Sequence, residues 1–189
     1  MGEDETQTLV QLAWDALPRS RRRLLEQVGA SRWEIVERPL GDVVFDLLRS
    51  SGRRAPDSER IRSENEALGI WVPELRLVLI NEGHREIREA DRSTREALLT
   101  WLAWHEWGHA LSVTAFSDHD PSEGARLVEL APAGIRERIR SGGYRRNEYI
   151  HELIAETYAL LMRERVQGRP GRPRWLPNEI YQLMARIGA

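Results

Sequence analysis

The sequence predicts an α+β fold, and three observations carry that expectation. Most of its apolar residues recur at helical three- and four-residue steps, most clearly at Leu98, Trp101, Leu102, His105 and His109 and again from Tyr149 to Met162. Three short stretches, residues 33–38, 70–72 and 75–80, are instead rich in strand-forming residues, and Leu75, Leu77 and Leu79 alternate with the two-residue period of a strand. The chain has 189 residues, 41% of them hydrophobic and 31% charged, which is an ordinary globular composition with enough length for a real core. We therefore expect one domain over residues 1–165, with residues 1–30 as N-terminal helices. A linker and a C-terminal helix packed on the core follow in residues 166–189.

Taken in order, residues 1–8 are acidic and lack the apolar stretch of a signal peptide. Leu9, Leu12, Ala13, Ala16 and Leu17 mark a short amphipathic helix. Pro18 is suited to open a second one, which Gly29 ends. Its Arg19 and Arg21 to Arg23 read as a solvated basic face. Residues 33–38 are a strand candidate, residues 43–48 lean to helix, and the polar residues 53–65 read as a loop or frayed helix. Residues 70–72 and 75–80 are strands separated by Pro73, the second expected to be a half-exposed edge strand. Asn81-Glu82-Gly83 closes it as a turn.

Asp91, Ser93 and Thr94 are helix-start residues, and the helix they open runs into the later motif. Asp118, His119 and Asp120 lie on a loop next to Pro121. They read as turn residues rather than a second metal cluster. Residues 125–139 suggest one or two short helices broken near Pro132 and Gly134, and Ser141-Gly142-Gly143 is a breaker. Residues 168–173 form a Gly/Pro/Arg linker. The last helix, residues 177–187, has Ile180, Leu183, Met184 and Ile187 on one face.

Composition narrows the chemistry. The net charge of −2 gives no electrostatic footprint for nucleic acid. All 28 basic residues are arginine, which we read as genome base composition. The absence of cysteine rules out disulfides and thiolate metal sites, so a metal must be held by histidine and carboxylate. No apolar run approaches the roughly 18 residues of a membrane span, so a cytoplasmic location with no membrane partner is expected. Oligomeric state is not legible.

The motif is His105-Glu106-Trp107-Gly108-His109, which reads H-E-x-x-H within the helical pattern. Residues four apart lie on one helix face, so both imidazoles can reach one Zn²⁺, while Glu106 can reach a water without ligating the metal. Gly108 is costly inside a helix, by about 1 kcal/mol against alanine, and points to a close approach by another backbone or a ligand. A third protein ligand is required, and the run from Tyr149 to Met162 offers Glu152 and Glu156 on one face. A tyrosine hydroxyl beside the metal, Tyr144 ahead of Tyr149, is the candidate catalytic donor to a developing oxyanion.

H-E-W-G-H followed by E-L-I-A-E resembles the gluzincin zinc metallopeptidases, whose second helix carries E-x-x-A-(D/E). Compact mini-zincins, the ImmA/IrrE-type metallopeptidases and the metallopeptidase domain of ArdC-type antirestriction proteins have similar patterns. The ArdC-type E-L-V-A-E is the nearest to Glu152–Glu156. The ImmA/IrrE pattern has Asn at the position of Glu156, and usually Pro at that of Arg163.

The resemblance spans roughly residues 68–162. It implies a zincin-like fold, with a small, twisted, mostly antiparallel sheet packed on the motif helix and a second, ligand-bearing helix. It also implies one zinc per chain on His105, His109 and Glu152. Glu106 is then the general base, and Glu156 accepts a hydrogen bond from the far nitrogen of a histidine ligand. The implied substrate is a peptide or protein, laid along residues 75–80 by strand addition. A zinc-binding module acting through a protein partner in phage or mobile-element biology, without proteolysis, has the same ligands. The intact Glu106 favours the enzyme.

Overall fold

The computed structural model describes residues 3–116, 120–142, 144–169 and 171–187. The fold is α+β, with ten helices and a three-stranded mixed sheet among these residues. Asp118, His119 and Gly143 lie outside the described residues.

Helix α1 (Glu3–Asp15) leads into α2 (Arg19–Val28), which begins directly after Pro18. Gly29 ends α2 at φ 82°, and the Ala30 N–H closes back on the Leu25 carbonyl at 2.8 Å, a glycine-based helix stop. The sheet is built from β1 (Trp33–Val36), β2 (Gly69–Val72) and β3 (Leu77–Asn81) in the order β1-β3-β2. β1 runs parallel to β3 and β2 antiparallel to it, so the sheet is mixed rather than mostly antiparallel.

The expected edge strand is instead the central strand. Every residue of β3 is buried, because both faces are covered. Leu77 and Leu79 point into a small core with Leu40, Val44 and Leu48 of α3 (Leu40–Ser50). Val78 and Ile80 point into the main core with Leu99, Leu102 and Trp107. Leu77 to Ile80 is a continuous apolar run, the mark of a strand buried on both sides; reading only the alternating leucines hid it. The strand edge next to the motif helix belongs to β2.

The polar stretch 53–65 yields a proper helix, α4 (Ser58–Asn65). The Asp57 side chain caps it on the Arg60 N–H at 2.8 Å, and an Arg60–Glu64 pair at 2.6 Å spans one turn. After the short α5 (Arg85–Glu89) comes α6 (Arg92–Ala115), 24 residues long, capped by Asp91 on the Thr94 N–H at 3.0 Å. The chain then breaks at Ala131-Pro132 between α7 (Pro121–Leu130) and α8 (Ala133–Ser141), as the sequence suggested. Asp120 serves as the cap of α7, accepting from the Ser122 N–H at 2.8 Å. Helix α9 (Tyr149–Val166) follows, and α10 (Asn178–Arg186) packs on α7 and α9 with Ile180, Leu183, Met184 and Ile187 buried. No described helix is long and apolar enough to cross a membrane.

The principal helix pair is α6 with α9, at the centre of the main core. Gly108 makes that pair possible. A Cβ placed there would lie 2.7 Å from the Cα of Ala155 and 3.1 Å from the Cβ of Tyr158. The close neighbour anticipated for this glycine is therefore the backbone of α9. Behind α6, Trp107 packs edge-on against Trp14 and Trp33, with ring centroids 5.2 and 5.9 Å away, and the Trp104 indole donates to the Ala13 carbonyl at 3.1 Å. These contacts fix the rotation of α6 about its axis and so aim its opposite face.

Candidate metal centre

That opposite face carries His105 and His109, one turn apart, and α9 brings Glu152 against them. The two Nε2 atoms lie 3.0 Å from each other. Glu152 oxygens lie 3.3 Å from Nε2 of His109 and 3.8 Å from Nε2 of His105. Four-coordinate Zn²⁺ with ligands at about 2.0–2.1 Å needs donor atoms about 3.3–3.4 Å apart in tetrahedral geometry. The observed spacings bracket that value, so His105, His109 and Glu152 form a group that can hold a metal ion. All three are at least largely buried, with His105 at 8% and Glu152 at 7% exposure. Burial with two imidazoles and one carboxylate is a donor set suited to a borderline cation such as zinc rather than to an all-oxygen cation such as Ca²⁺.

Burial also sets the protonation of the metal-free group. It drives His105 well below the usual imidazole range, helped by His109 and Arg138, and His109 down to about 4, helped by His151. Burial pushes Glu152 up to about 8, with Glu156 and Glu148 adding to the rise and a hydrogen bond from Tyr144 opposing it. At pH 7 the histidines are thus neutral and ready to ligate, whereas Glu152 holds a proton that a metal must displace. Metal binding at pH 7 is expected to release about one proton per ion, and affinity should climb with pH until it levels off above pH 8. Calorimetry in two buffers of different ionisation enthalpy measures the release, and a release of zero would contradict the raised carboxyl of Glu152. The metal-free chain carries the opposite dependence. Carboxylates raised to about 8 contribute stability that is lost as pH rises through that value.

Glu106 points from α6 toward β2 and is 4% exposed. Its carboxyl is pushed up to about 8 by burial and by the nearby Glu152, while the backbone N–H of Trp71 donates to it and opposes the rise. Gly69, also on β2, lets the strand lie close: a Cβ there would sit 3.0 Å from the Leu102 side chain and 3.1 Å from Cγ of Glu106. The sequence offered no sign of this role for Trp71, because it is played by the backbone.

Tyr144 donates its hydroxyl to the Glu152 carboxylate, and burial pushes its own ionisation well above the ordinary phenol range. Its ring lies over Gly142, where a Cβ would clash with it. Tyr149 instead packs against the main core. Tyr144 also stands between two cavities. One of about 640 Å³ is lined by Gly69, Trp101, His105 and Glu106, the other of about 650 Å³ by Glu64, His109, His151 and Glu152. The group thus lies midway along a cleft open on both sides.

Glu156 lies one turn beyond Glu152, beside the first cavity. Its Oε2 takes two bonds from Arg138 of α8, at 2.9 and 2.6 Å, and Nδ1 of His105 is buried with no hydrogen-bond partner among the described residues. Arg138 was not anticipated. It comes from a helix 18 residues earlier, and no local spacing links it to Glu156. The chain matches no family model, no curated protein and no solved structure.

Proposed function

We propose that this chain is a zinc-dependent metallopeptidase with a gluzincin-like arrangement, hydrolysing peptide bonds in the cleft across His105, His109 and Glu152. The observation that carries the reading is the convergence of those three side chains at metal-ligand spacing, with a buried fourth side chain, Glu106, next to them. A purely structural metal site closes all four positions with protein ligands and needs no base. Among the described residues three protein donors stand in an open cleft, which would leave a fourth position to water or substrate.

His105, His109 and Glu152 would hold the zinc, which supplies Lewis-acid polarisation of a water and of the substrate carbonyl. A cation on the neighbouring ligands would favour the ionised form of Glu106, which burial otherwise opposes, and the ionised carboxylate can then take the proton from that water. Its place in the cleft wall, with its carboxyl raised by burial, suits it to give the proton back to the leaving amine at near-neutral pH. The Trp71 N–H keeps the carboxylate oriented in both steps. Tyr144 is within reach of the ligand group and offers its hydroxyl to the oxygen that gains negative charge. Glu156, paired with Arg138 at 2.6 Å, stands one turn from the ligands. The substrate strand lies along β2, whose outer edge pairs with no other strand among the described residues and passes directly over Glu106.

The test is direct. The chain saturated with one equivalent of zinc should cut members of a mixed peptide library, read by mass spectrometry. A chelator should abolish cleavage, and restored zinc should return it. Intact peptides at every time point, from a protein shown to hold its zinc, would leave the metal centre standing and remove the peptidase reading.

A further inference from the structure

A further cavity, of about 490 Å³, opens next to the one beside Glu106 and farther along α9. Trp101 lines both, and its ring lies over that of His105, with centroids 4.9 Å apart and planes inclined by 33°. Trp101 is thus a wall shared between the metal cleft and this cavity. Pro132, Leu160 and Trp175 supply more of its apolar lining. Leu160 and Arg163, also in its wall, lie about 12 and 16 Å along α9 from Glu152, at about 1.5 Å of rise per residue.

Trp175 is 37% exposed and is packed into neither hydrophobic core, yet the turn that carries it is pinned. Leu176 beside it is fully buried. The Leu176 N–H bonds the Pro173 carbonyl at 3.1 Å, and the Leu176 carbonyl accepts from Nε of Arg172 at 3.0 Å. A scattered apolar residue at a surface needs no explanation, but an indole held by an anchored turn in a concavity with Trp101 and Leu160 has the character of a binding anchor. The charges around it leave one cation over. Arg138 is paired with Glu156 at 2.6 Å and Glu164 with Arg169 at 3.5 Å. Arg163 is exposed and has no carboxylate within 4.0 Å among the described residues.

We propose that this cavity is a remote subsite for an aromatic side chain of the polypeptide substrate, flanked by an acidic residue, with Trp175 and Arg163 as its specificity-determining side chains. An aromatic ring is favoured over an aliphatic side chain because it can stack on or meet edge-on the indole of Trp175, a gain beyond the area it buries. The flanking carboxylate answers the one unmatched guanidinium. An extended peptide advances about 3.3 Å per residue, so a side chain beside Leu160 belongs to a residue about three or four positions from the bond to be cut. The next residue outward then comes level with Arg163. The inference rests on the cleft being a peptide site. It adds which peptides are held, and at what distance from the metal ligands.

The experiment measures binding separately from cleavage. Capped dodecapeptides of alanine, serine and glycine with one central triplet, Asp-Phe-Asp, Asp-Leu-Asp or Asn-Phe-Asn, are titrated calorimetrically into the zinc-loaded Glu106→Gln chain, which lacks the base that would turn them over. The Asp-Phe-Asp peptide is expected to bind about three- to ten-fold more tightly than Asp-Leu-Asp, the worth of an aromatic pair beyond its area. It should bind about two- to five-fold more tightly than Asn-Phe-Asn, as for an exposed ion pair. Trp175→Ala should erase the first difference and Arg163→Gln the second. Equal affinities for the phenylalanine and leucine peptides, or no binding of either, would overturn the proposal without any further variant having to fold. A phenylalanine preference that survives in a folded Trp175→Ala chain would overturn the assignment to this cavity. Cleavage of the same peptides by the unaltered chain separates the two readings. Selective binding with no cleavage removes the peptidase and keeps the subsite, while cleavage indifferent to phenylalanine does the reverse. A cut directly beside phenylalanine would seat that ring at the metal and overturn the remote position; a cut about three or four residues away supports it.

Discussion

Replacement of Glu106 by Gln is expected to leave zinc bound and to abolish hydrolysis. Glutamine is nearly isosteric with glutamate and can still meet the Trp71 N–H through its amide oxygen, so β2 and α6 should keep their spacing. The three ligands are untouched. What disappears is a group able to take and return a proton, a contribution of about 10²–10⁴ in rate for a positioned acid-base residue. The measurement is metal content by elemental analysis beside peptide turnover for the two chains. Loss of the metal with Glu106→Gln would mean that this carboxylate is itself a ligand. Unchanged turnover would mean that it is not the base.

Gly108→Val is expected to produce a large structural effect at the crossing of the site helix with α9. The added Cβ would meet the Ala155 Cα at 2.7 Å, a backbone atom that no rotamer change can move aside. Relief has to come from separating α6 and α9, the pair that brings the histidines to Glu152. Overpacking of this kind costs typically about 1–3 kcal/mol, and the contact with backbone places this case at the upper end. Gly134→Ala is the matched control. It sits in α8, where a Cβ would find only an Arg138 guanidinium nitrogen at 3.9 Å, and the gain in helix propensity is up to about 1 kcal/mol. Urea denaturation of both, with zinc titrations on the folded species, checks the contrast. A Gly108→Val chain of parental stability and zinc affinity would refute the role assigned to the crossing.

The parts of the site that lie on single helices were legible in the sequence, because helical periodicity is local. His105, His109 and the orientation of Glu106 follow from one stretch of α6, and Gly108 announced its neighbour through its cost in a helix. Glu152 could be nominated from the second run, but only packing decides that α9 delivers it to the histidines. The sheet was read less well. Strand periodicity identified β1, β2 and β3, yet their order depends on a parallel pairing between Trp33–Val36 and Val78–Asn81 that crosses α3, α4 and β2. No short window contains that information. Helix α4 was legible only as a loop or frayed helix because its residues are mostly polar; its cap at Asp57 and its Arg60–Glu64 pair hold it, and Glu64 is buried only once the tertiary fold exists. Arg138 and the Trp71 N–H are invisible for the same reason: one reaches the site from a separate helix, and the other has no side-chain signature.

The α6–α9 crossing also has a meaning for the chain as a polymer. Cysteine is absent from the sequence, so no covalent link shortens its unfolded ensemble. A cation gripping His109 and Glu152 at once would join two distant points of the chain and close the segment between them, which contains α7 and α8, into a ring. Tying off a loop of several tens of residues removes conformational freedom from the unfolded chain in the way a disulfide does. The ion would then be a removable knot, set by pH and by supply. The two helices inside the ring could fray only as a tethered arc while it is tied, and would be released together when it is lost.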